Sequence, residues 1–257
     1  MNDTHGRFCW YELLTTDPDA AQAFYTQVVG WNARDSGMPG MNYTIFGVGE
    51  AGIGGMMKLT EECAVVGART GWVGYVAVED VDAHAQKVAD AGGAIRMPPQ
   101  DIPGIGRFAV VADPQGAVLT LFKPAPGSPE PQIPPMGTPG PARWRELYAD
   151  DWQAAFGFYA PLFNWTKGDA LDMGAMGTYQ IYGRGEEMFG GMMNRPPNVP
   201  AAFWLYYFET GNIDEAKARI EAGGGQVVHG PSEVPGNAWI VQAIDPQGGM
   251  FGLVGTR

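Results

Sequence analysis

The chain is written twice. "WYELL" at Trp10 returns as "WRELY" at Trp144, and "AFYTQVVGW" at Ala23 returns as "GFYAPLFNW" at Gly157. "GGMM" stands at Gly54 and at Gly190, "VDAHAQKVADAGG" at Val81 matches "IDEAKARIEAGGG" at Ile213, and the turn "DPQG" occurs at Asp113 and at Asp245. Phe24 and Phe158 are 134 positions apart and the two aspartates 132, so the offset hardly drifts. A duplication of this kind constrains the fold more than any other feature, because an element assigned in one copy must also be possible in the other.

Between the copies runs "KPAPGSPEPQIPPMGTPGP", from Lys123 to Pro141, too rich in proline and glycine for a helix or a central strand. This places domain one at 6–124, an extended linker at 125–140 and domain two at 141–255. Within a copy, "FCWYELLT" alternates as a half-buried strand does, and Asp17-Pro18 supplies an N-cap and a first-turn proline for a helix that buries Ala21, Phe24, Tyr25 and Val28. "NYTIFGV" and "AGIGGMMKL" read as further strands, and "GWVGYVAV" begins the pattern again. Asp80 caps a second helix that Gly92-Gly93 ends, and "AIRM", "RFAVVA" and "VLTLF" follow, with DPQG as the hairpin turn between the last two. Each domain is therefore βαβββ twice, an α+β fold.

Composition narrows the function. With 257 residues, 45% hydrophobic and 17% charged, the chain is globular, and no apolar run approaches the roughly 18 residues of a membrane span. A formal charge of −12 repels a phosphate backbone, so nucleic acid is not an expected partner, and neither is a membrane. The start "MNDTHGRFCWYELL" lacks a basic leader followed by an apolar segment, so the expected location is cytoplasmic. Cys9 and Cys63 have neither zinc-site nor CxxC spacing and are expected to be packed thiols.

Tandem βαβββ modules, "FY...GW" after the first helix and a "DPxG" hairpin before the last strand resemble the vicinal oxygen chelate superfamily of glyoxalases, bleomycin-resistance proteins and extradiol dioxygenases. The resemblance covers nearly the whole chain and is nearest the two-domain, CFP-30B-like branch of glyoxalase-like proteins. It implies two tandem vicinal-oxygen-chelate domains, each a pair of modules forming a cup-shaped sheet, whose floor in the enzymes holds a divalent metal on His, Gln and Glu. Carried over position by position, the first ligand falls on Trp10 and Trp144, the next on Val73 and Leu205, and the glutamate of "DPxGNxxEL" on Thr120 and Gly252. None of these six side chains has the donor the resemblance requires, so neither a metal nor any other cofactor is expected.

Taking the former ligand positions as cup-facing, strand alternation selects Trp10, Glu12 and Leu14, then Val73, Tyr75 and Ala77, then Val118, Thr120 and Phe122 in copy one. Copy two gives Trp144, Glu146 and Tyr148, then Leu205, Tyr207 and Glu209, then Met250, Gly252 and Val254. The candidate ligand-binding residues are Trp10, Tyr75, Phe122, Trp144, Tyr148, Tyr207, Glu209 and Met250. Such a set suits a flat, partly apolar molecule with hydroxyl or cationic groups. Each tryptophan can equally be a large core side chain. Glu12 and Glu146 are costlier to bury and point more to function, although an ion pair with Arg145 or Arg107 would also account for them.

The histidines are weaker leads. His5 lies near a chain end, His84 on an expected exposed helix face, and His229 at the end of a strand. The GGMM pairs can line the cup mouth or fill core gaps. The leading expectation is a metal-independent, monomeric or homodimeric protein that holds a small planar or amphipathic metabolite or antibiotic for sequestration or delivery. The alternative is a lyase, isomerase or dioxygenase using Glu146 or Glu12 as base, or a metal relocated onto Glu12, Glu146, Glu209 or His229. A third is an interaction protein with no small ligand.

Overall fold

A computed structural model describes residues 4–38, 40–65, 67–128 and 134–257. The five residues 129–133 of the expected linker lie outside the described residues. The first module runs β1 (Phe8–Thr15), α1 (Pro18–Val29), β2 (Asn32–Asp35), β3 (Tyr43–Val48) and β4 (Ala51–Lys58), and a short helix α2 (Glu61–Val65) follows. The second is β5 (Gly71–Ala77), α3 (Val81–Asp90), β6 (Ala94–Ile102), β7 (Gly106–Ala112) and β8 (Val118–Pro124). Copy two repeats this as β9 (Ala142–Ala149), α4 (Trp152–Phe163), β10 (Thr166–Asp172), β11 (Thr178–Arg184) and β12 (Glu187–Asn194), then β13 (Phe203–Asn212), α5 (Ile213–Ala222), β14 (Gln226–Val234), β15 (Ala238–Ile244) and β16 (Met250–Thr256).

Local chemistry sets the boundaries. The Asp17 carboxylate accepts the Ala20 N–H at 3.1 Å, Asp80 accepts the Ala83 N–H at 2.9 Å, and Asp151 caps α4 in the same way, so these three helices begin where an aspartate can satisfy a free backbone donor, and α5 begins at Asn212, whose amide oxygen accepts the Glu215 N–H. The strands form two mixed eight-stranded sheets, ordered β2-β3-β4-β1-β5-β8-β7-β6 and β10-β11-β12-β9-β13-β16-β15-β14. Equivalent strands occupy equivalent places, as a duplication requires.

Packing does not follow the order of the copies. One compact unit draws on Met1–Cys9, Val73–Glu130 and Trp144–Trp204, and the other on Trp10–Trp72, Pro131–Arg143 and Leu205–Arg257. The first unit thus joins the second module of copy one to the first module of copy two, with α3 against α4. The other joins the two outer modules, with α1 against α5. In that second unit Trp31 and Trp72 lie 4.9 and 4.8 Å from the Phe208 ring, and Tyr25 lies 5.3 Å from Phe251. In the first, Tyr159, Trp165, Tyr182 and Trp204 build the equivalent cluster, with Trp165 and Tyr182 4.7 Å apart.

Within each unit the two DPQG turns acquire their role. Asp245 accepts the Gln247 and Gly249 N–H groups on Oδ1, closing its own turn, and the Tyr25 hydroxyl on Oδ2 at 2.8 Å. Asp113 accepts Gln115 and Ala117 N–H on Oδ1 and the Tyr159 hydroxyl on Oδ2 at 3.0 Å. A tryptophan completes each set, Trp72 donating to Tyr25 at 2.9 Å and Trp204 to Tyr159 at 3.3 Å. The tyrosine of "FY" in one copy therefore fastens to the hairpin of the other. The tryptophan of "GW" or "NW" bonds instead to the segment before a first strand, Trp31 donating to the Gly140 carbonyl ahead of β9 at 3.0 Å and Trp165 to the Gly6 carbonyl ahead of β1 at 2.7 Å.

The end of the expected linker is held rather than free. Gly140 donates to the Glu209 carbonyl, Gly137 N–H reaches the Glu209 carboxylate at 2.7 Å, and Arg143 donates to the Pro134 and Pro135 carbonyls. Replacing either tyrosine by phenylalanine, Tyr25→Phe or Tyr159→Phe, leaves a buried carboxylate oxygen and an indole N–H without their partner. Each should cost about 1–3 kcal/mol in urea unfolding. A change within error of zero in both variants would remove the cross-copy bonds from the account of stability.

Candidate functional site

On β1 the burial pattern alternates as expected: Tyr11, Leu13 and Thr15 are buried, while Trp10, Glu12 and Leu14 on the other face are half-buried. Trp10 donates its indole N–H to the Tyr43 hydroxyl at 2.8 Å, and that hydroxyl is in turn hydrogen-bonded to Glu12. Copy two repeats the chain atom for atom. Trp144 donates to the Tyr179 hydroxyl at 2.6 Å, and Tyr179 donates to the Glu146 carboxylate at 2.9 Å. Burial, and then the neighbouring carboxylate, push both tyrosines well above their ordinary pKa, so each stays protonated and acts as a fixed donor.

Glycine makes the arrangement possible. A Cβ on Gly55 would lie within the Tyr43 ring, and one on Gly191 within the Tyr179 ring, so each tyrosine lies flat over the bare backbone of β4 or β12. This explains the second glycine of each GGMM, while a Cβ on the first, Gly54 or Gly190, would meet the backbone carbonyl of Tyr11 or Arg145 on the neighbouring strand. Of the GGMM methionines, Met56, Met192 and Met193 are buried and fill core gaps, the second of the two expectations, while Met57 is half-buried.

The remaining candidates divide. Tyr75 is buried at the register position of Thr120, with half-buried Phe122 6.0 Å away edge to face. Tyr148 stacks on Phe203 at 5.1 Å and 7°. Met250 is half-buried at the start of β16. Tyr207 is 1% exposed, accepts the Gln242 amide at 2.6 Å, and its ring fills the space where a side chain at Gly252 would stand. Glu209 is engaged by the Arg143 guanidinium and by Gly137 N–H.

The family metal does not fit these positions. Trp10 and Trp144 spend their only polar atoms on tyrosines, Leu205 is fully buried, and the Tyr207 ring occupies the space beside Gly252. Among the described residues no group of three or more His, Cys, Asp or Glu side chains is placed to hold a metal ion. Glu12, Glu146, Glu209 and His229 therefore do not assemble into a relocated set.

Readings of four residues are corrected. Arg107 is not a partner for the strand glutamates, because Asp82 and Asp101 take its guanidinium at 2.6 and 2.9 Å. His84 is buried, at 6% exposure, and His5 is held at 3.2 Å from the Leu162 carbonyl. His229 is exposed within β14 rather than at its end. Tyr43, Tyr179 and Gln242 escaped the sequence reading. Only the two tyrosines left a trace, since each stands 12 residues before the glycine it covers.

A family model described as the Glyoxalase/Bleomycin resistance protein/Dioxygenase superfamily matches residues 7–121 and again 143–253. The chain belongs to this superfamily. It is 33% identical over 256 residues to CFP32 of Mycobacterium tuberculosis and of Mycobacterium bovis, a protein named as a glyoxylase, covering 95% of this chain and 93% of that one. It is 29% identical over 269 residues to the anthracycline biosynthesis protein DnrV of Streptomyces peucetius, covering 98% and 94%. Among solved structures it shares the fold of a 2,2',3-trihydroxybiphenyl 1,2-dioxygenase from Sphingomonas wittichii, at TM-score 0.69, 11% identity and coverage of 98% and 90%. The Mn(II)-bound glyoxalase of Novosphingobium aromaticivorans gives TM-score 0.65, 16% identity and coverage of 98% and 82%. None of the described helices of this superfamily member is long and apolar enough to cross a membrane.

Gly55→Ala and Gly191→Ala test the flat tyrosines. Each added methyl must displace a ring whose hydroxyl is bonded at both sides, so each variant should lose about 1–3 kcal/mol of stability and shift the tryptophan emission. Unaltered melting and emission would show that the rings do not rest on these glycines.

Proposed function

We propose that the chain binds a planar, hydroxylated aromatic molecule on the Trp10 face and, as a separate site, on the Trp144 face, without a metal, and holds or delivers it rather than converting it. The observation that supports this most is the doubled Trp–Tyr–Glu chain. It stands on the strand where metal-dependent relatives would place their first ligand, and it leaves a half-buried indole whose N–H is already satisfied. Such an indole offers an apolar π-face for stacking, and the adjacent carboxylate suits a ligand hydroxyl or ammonium group. Tyr75, Phe122, Tyr148 and Met250 are proposed as further lining. Tyr207 and Glu209, held by their own partners, are proposed to shape the site rather than to meet the ligand. Likeness to DnrV along 98% of the chain favours a polycyclic ligand of the anthracycline class.

Catalysis through either tyrosine is disfavoured, because a phenol held protonated by burial and a carboxylate is a poor base. Glu12 and Glu146 remain the groups an enzyme would use. Titration with an anthracycline in the presence of chelator, followed by the quenching of its own fluorescence, tests the proposal. Wild type should bind, and Trp144→Ala combined with Trp10→Ala should weaken binding about tenfold or more at a temperature where circular dichroism shows both ligand-free proteins folded. Equal affinity in the double variant, or turnover of the ligand on the same timescale, would overturn it.

A further inference from the structure

Away from the strand faces, the first unit carries a cleft of about 300 Å³ lined by His5, Glu79, His84, Lys87, Pro161, Leu162 and Asn164. Two imidazoles meet in it, with ring centres 4.9 Å apart and planes tilted by 53°. Both are oriented by backbone carbonyls. His84 Nδ1 lies 2.9 Å from the Asp80 carbonyl one turn earlier on α3, and His5 Nε2 lies 3.2 Å from the Leu162 carbonyl at the end of α4. A carbonyl only accepts, so each of these nitrogens carries the proton and the other nitrogen of each ring presents a lone pair. His5 Nδ1 is buried with no hydrogen-bond partner.

Metal-ligating histidines likewise give one N–H to a carbonyl or carboxylate and keep the other nitrogen for the ion. Distance agrees. An ion at 2.0–2.1 Å from each nitrogen in tetrahedral geometry sets two coordinating ring centres roughly 5 Å apart. His5 is also positioned in advance, since its neighbour Gly6 is fixed by N–H donation to the Ala77 carbonyl at 2.8 Å and by the indole of Trp165.

We propose that His5 Nδ1 and His84 Nε2 bind a borderline divalent transition metal ion, Zn2+ above all, leaving open coordination positions toward the cleft. Two imidazoles select such an ion over Mg2+ or Ca2+, which require oxygen donors. Glu79 and Lys87 line the same cleft, so its lining carries one charge of each sign. Bound there, the ion fastens the segment before β1 to α3. This site is separate from the Trp10 and Trp144 faces and does not rest on the function proposed for them.

The test is Zn2+ titration of chelator-treated full-length protein by calorimetry, with Cu2+ electron paramagnetic resonance as an independent count of nitrogen ligands. Expected are one Zn2+ per chain, two nitrogens on Cu2+, and a loss of about tenfold or more in affinity in His5→Ala and in His84→Gln. His84 is buried and its variant can unfold, whereas His5 precedes the first strand, so His5→Ala alone decides the matter. Absence of Zn2+ binding at millimolar concentration, or His5→Ala affinity within twofold of wild type, would falsify the proposal. Anthracycline binding should be the same in His5→Ala as in wild type, so failure of one proposal is distinguishable from failure of the other.

Discussion

Asp113 and Asp245 are 4% and 3% exposed, and a buried carboxylate is tolerated only where its oxygens are matched by donors. Each is matched in two directions. One oxygen takes two backbone N–H groups of its own hairpin, and the other takes a tyrosine hydroxyl from a helix of the opposite copy. Burial nevertheless raises the Asp113 pKa, so the donors only partly offset the loss of solvent. The rest of the architecture depends on this bond, because it decides which helix layer faces which. Once Tyr25 is committed to Asp245 and Tyr159 to Asp113, α1 must meet α5 and α3 must meet α4. The aromatic clusters then assemble around the bonded tyrosines.

Most of the fold was legible from local chemistry. Asp17, Asp80 and Asp151 cap helices, alternation along "FCWYELLT" places Tyr11 and Leu13 inward, and the repeat carries each assignment to the other copy. Partner choice was not legible. Alternation reports that a face is buried and is silent on what buries it, and in a duplicated chain Tyr25 has two hairpins of identical sequence to choose from. The linker illustrates the same limit. Its proline content excludes helix, yet nothing in that composition shows that Gly137 and Gly140 are held by Glu209.

At the candidate site, Trp10, Glu12, Trp144 and Glu146 were readable because they fall on positions the resemblance makes conspicuous. Tyr43 and Tyr179 were not, because a ring lying diagonally over a glycine on the neighbouring strand belongs to no period of either strand. The histidines were misread for a related reason. His84 sits beside charged Asp82 and Lys87 on a helix whose polarity suggests solvent, whereas its burial comes from His5 and α4, both distant in sequence.

The crosswise bonds also set terms for how this molecule can change over generations. A substitution at the hairpin aspartate of one half is compensated most directly at the helix tyrosine of the other, so the halves cannot drift as two independent lineages joined by a tether. What is inherited as a tandem pair behaves, under selection, as a single interlocked object. Divergence is easiest where a crosswise bond ends on a backbone carbonyl that any residue supplies, as in the cleft of His5 and His84, where His5 meets the Leu162 carbonyl and the position equivalent to His84 holds Ala216.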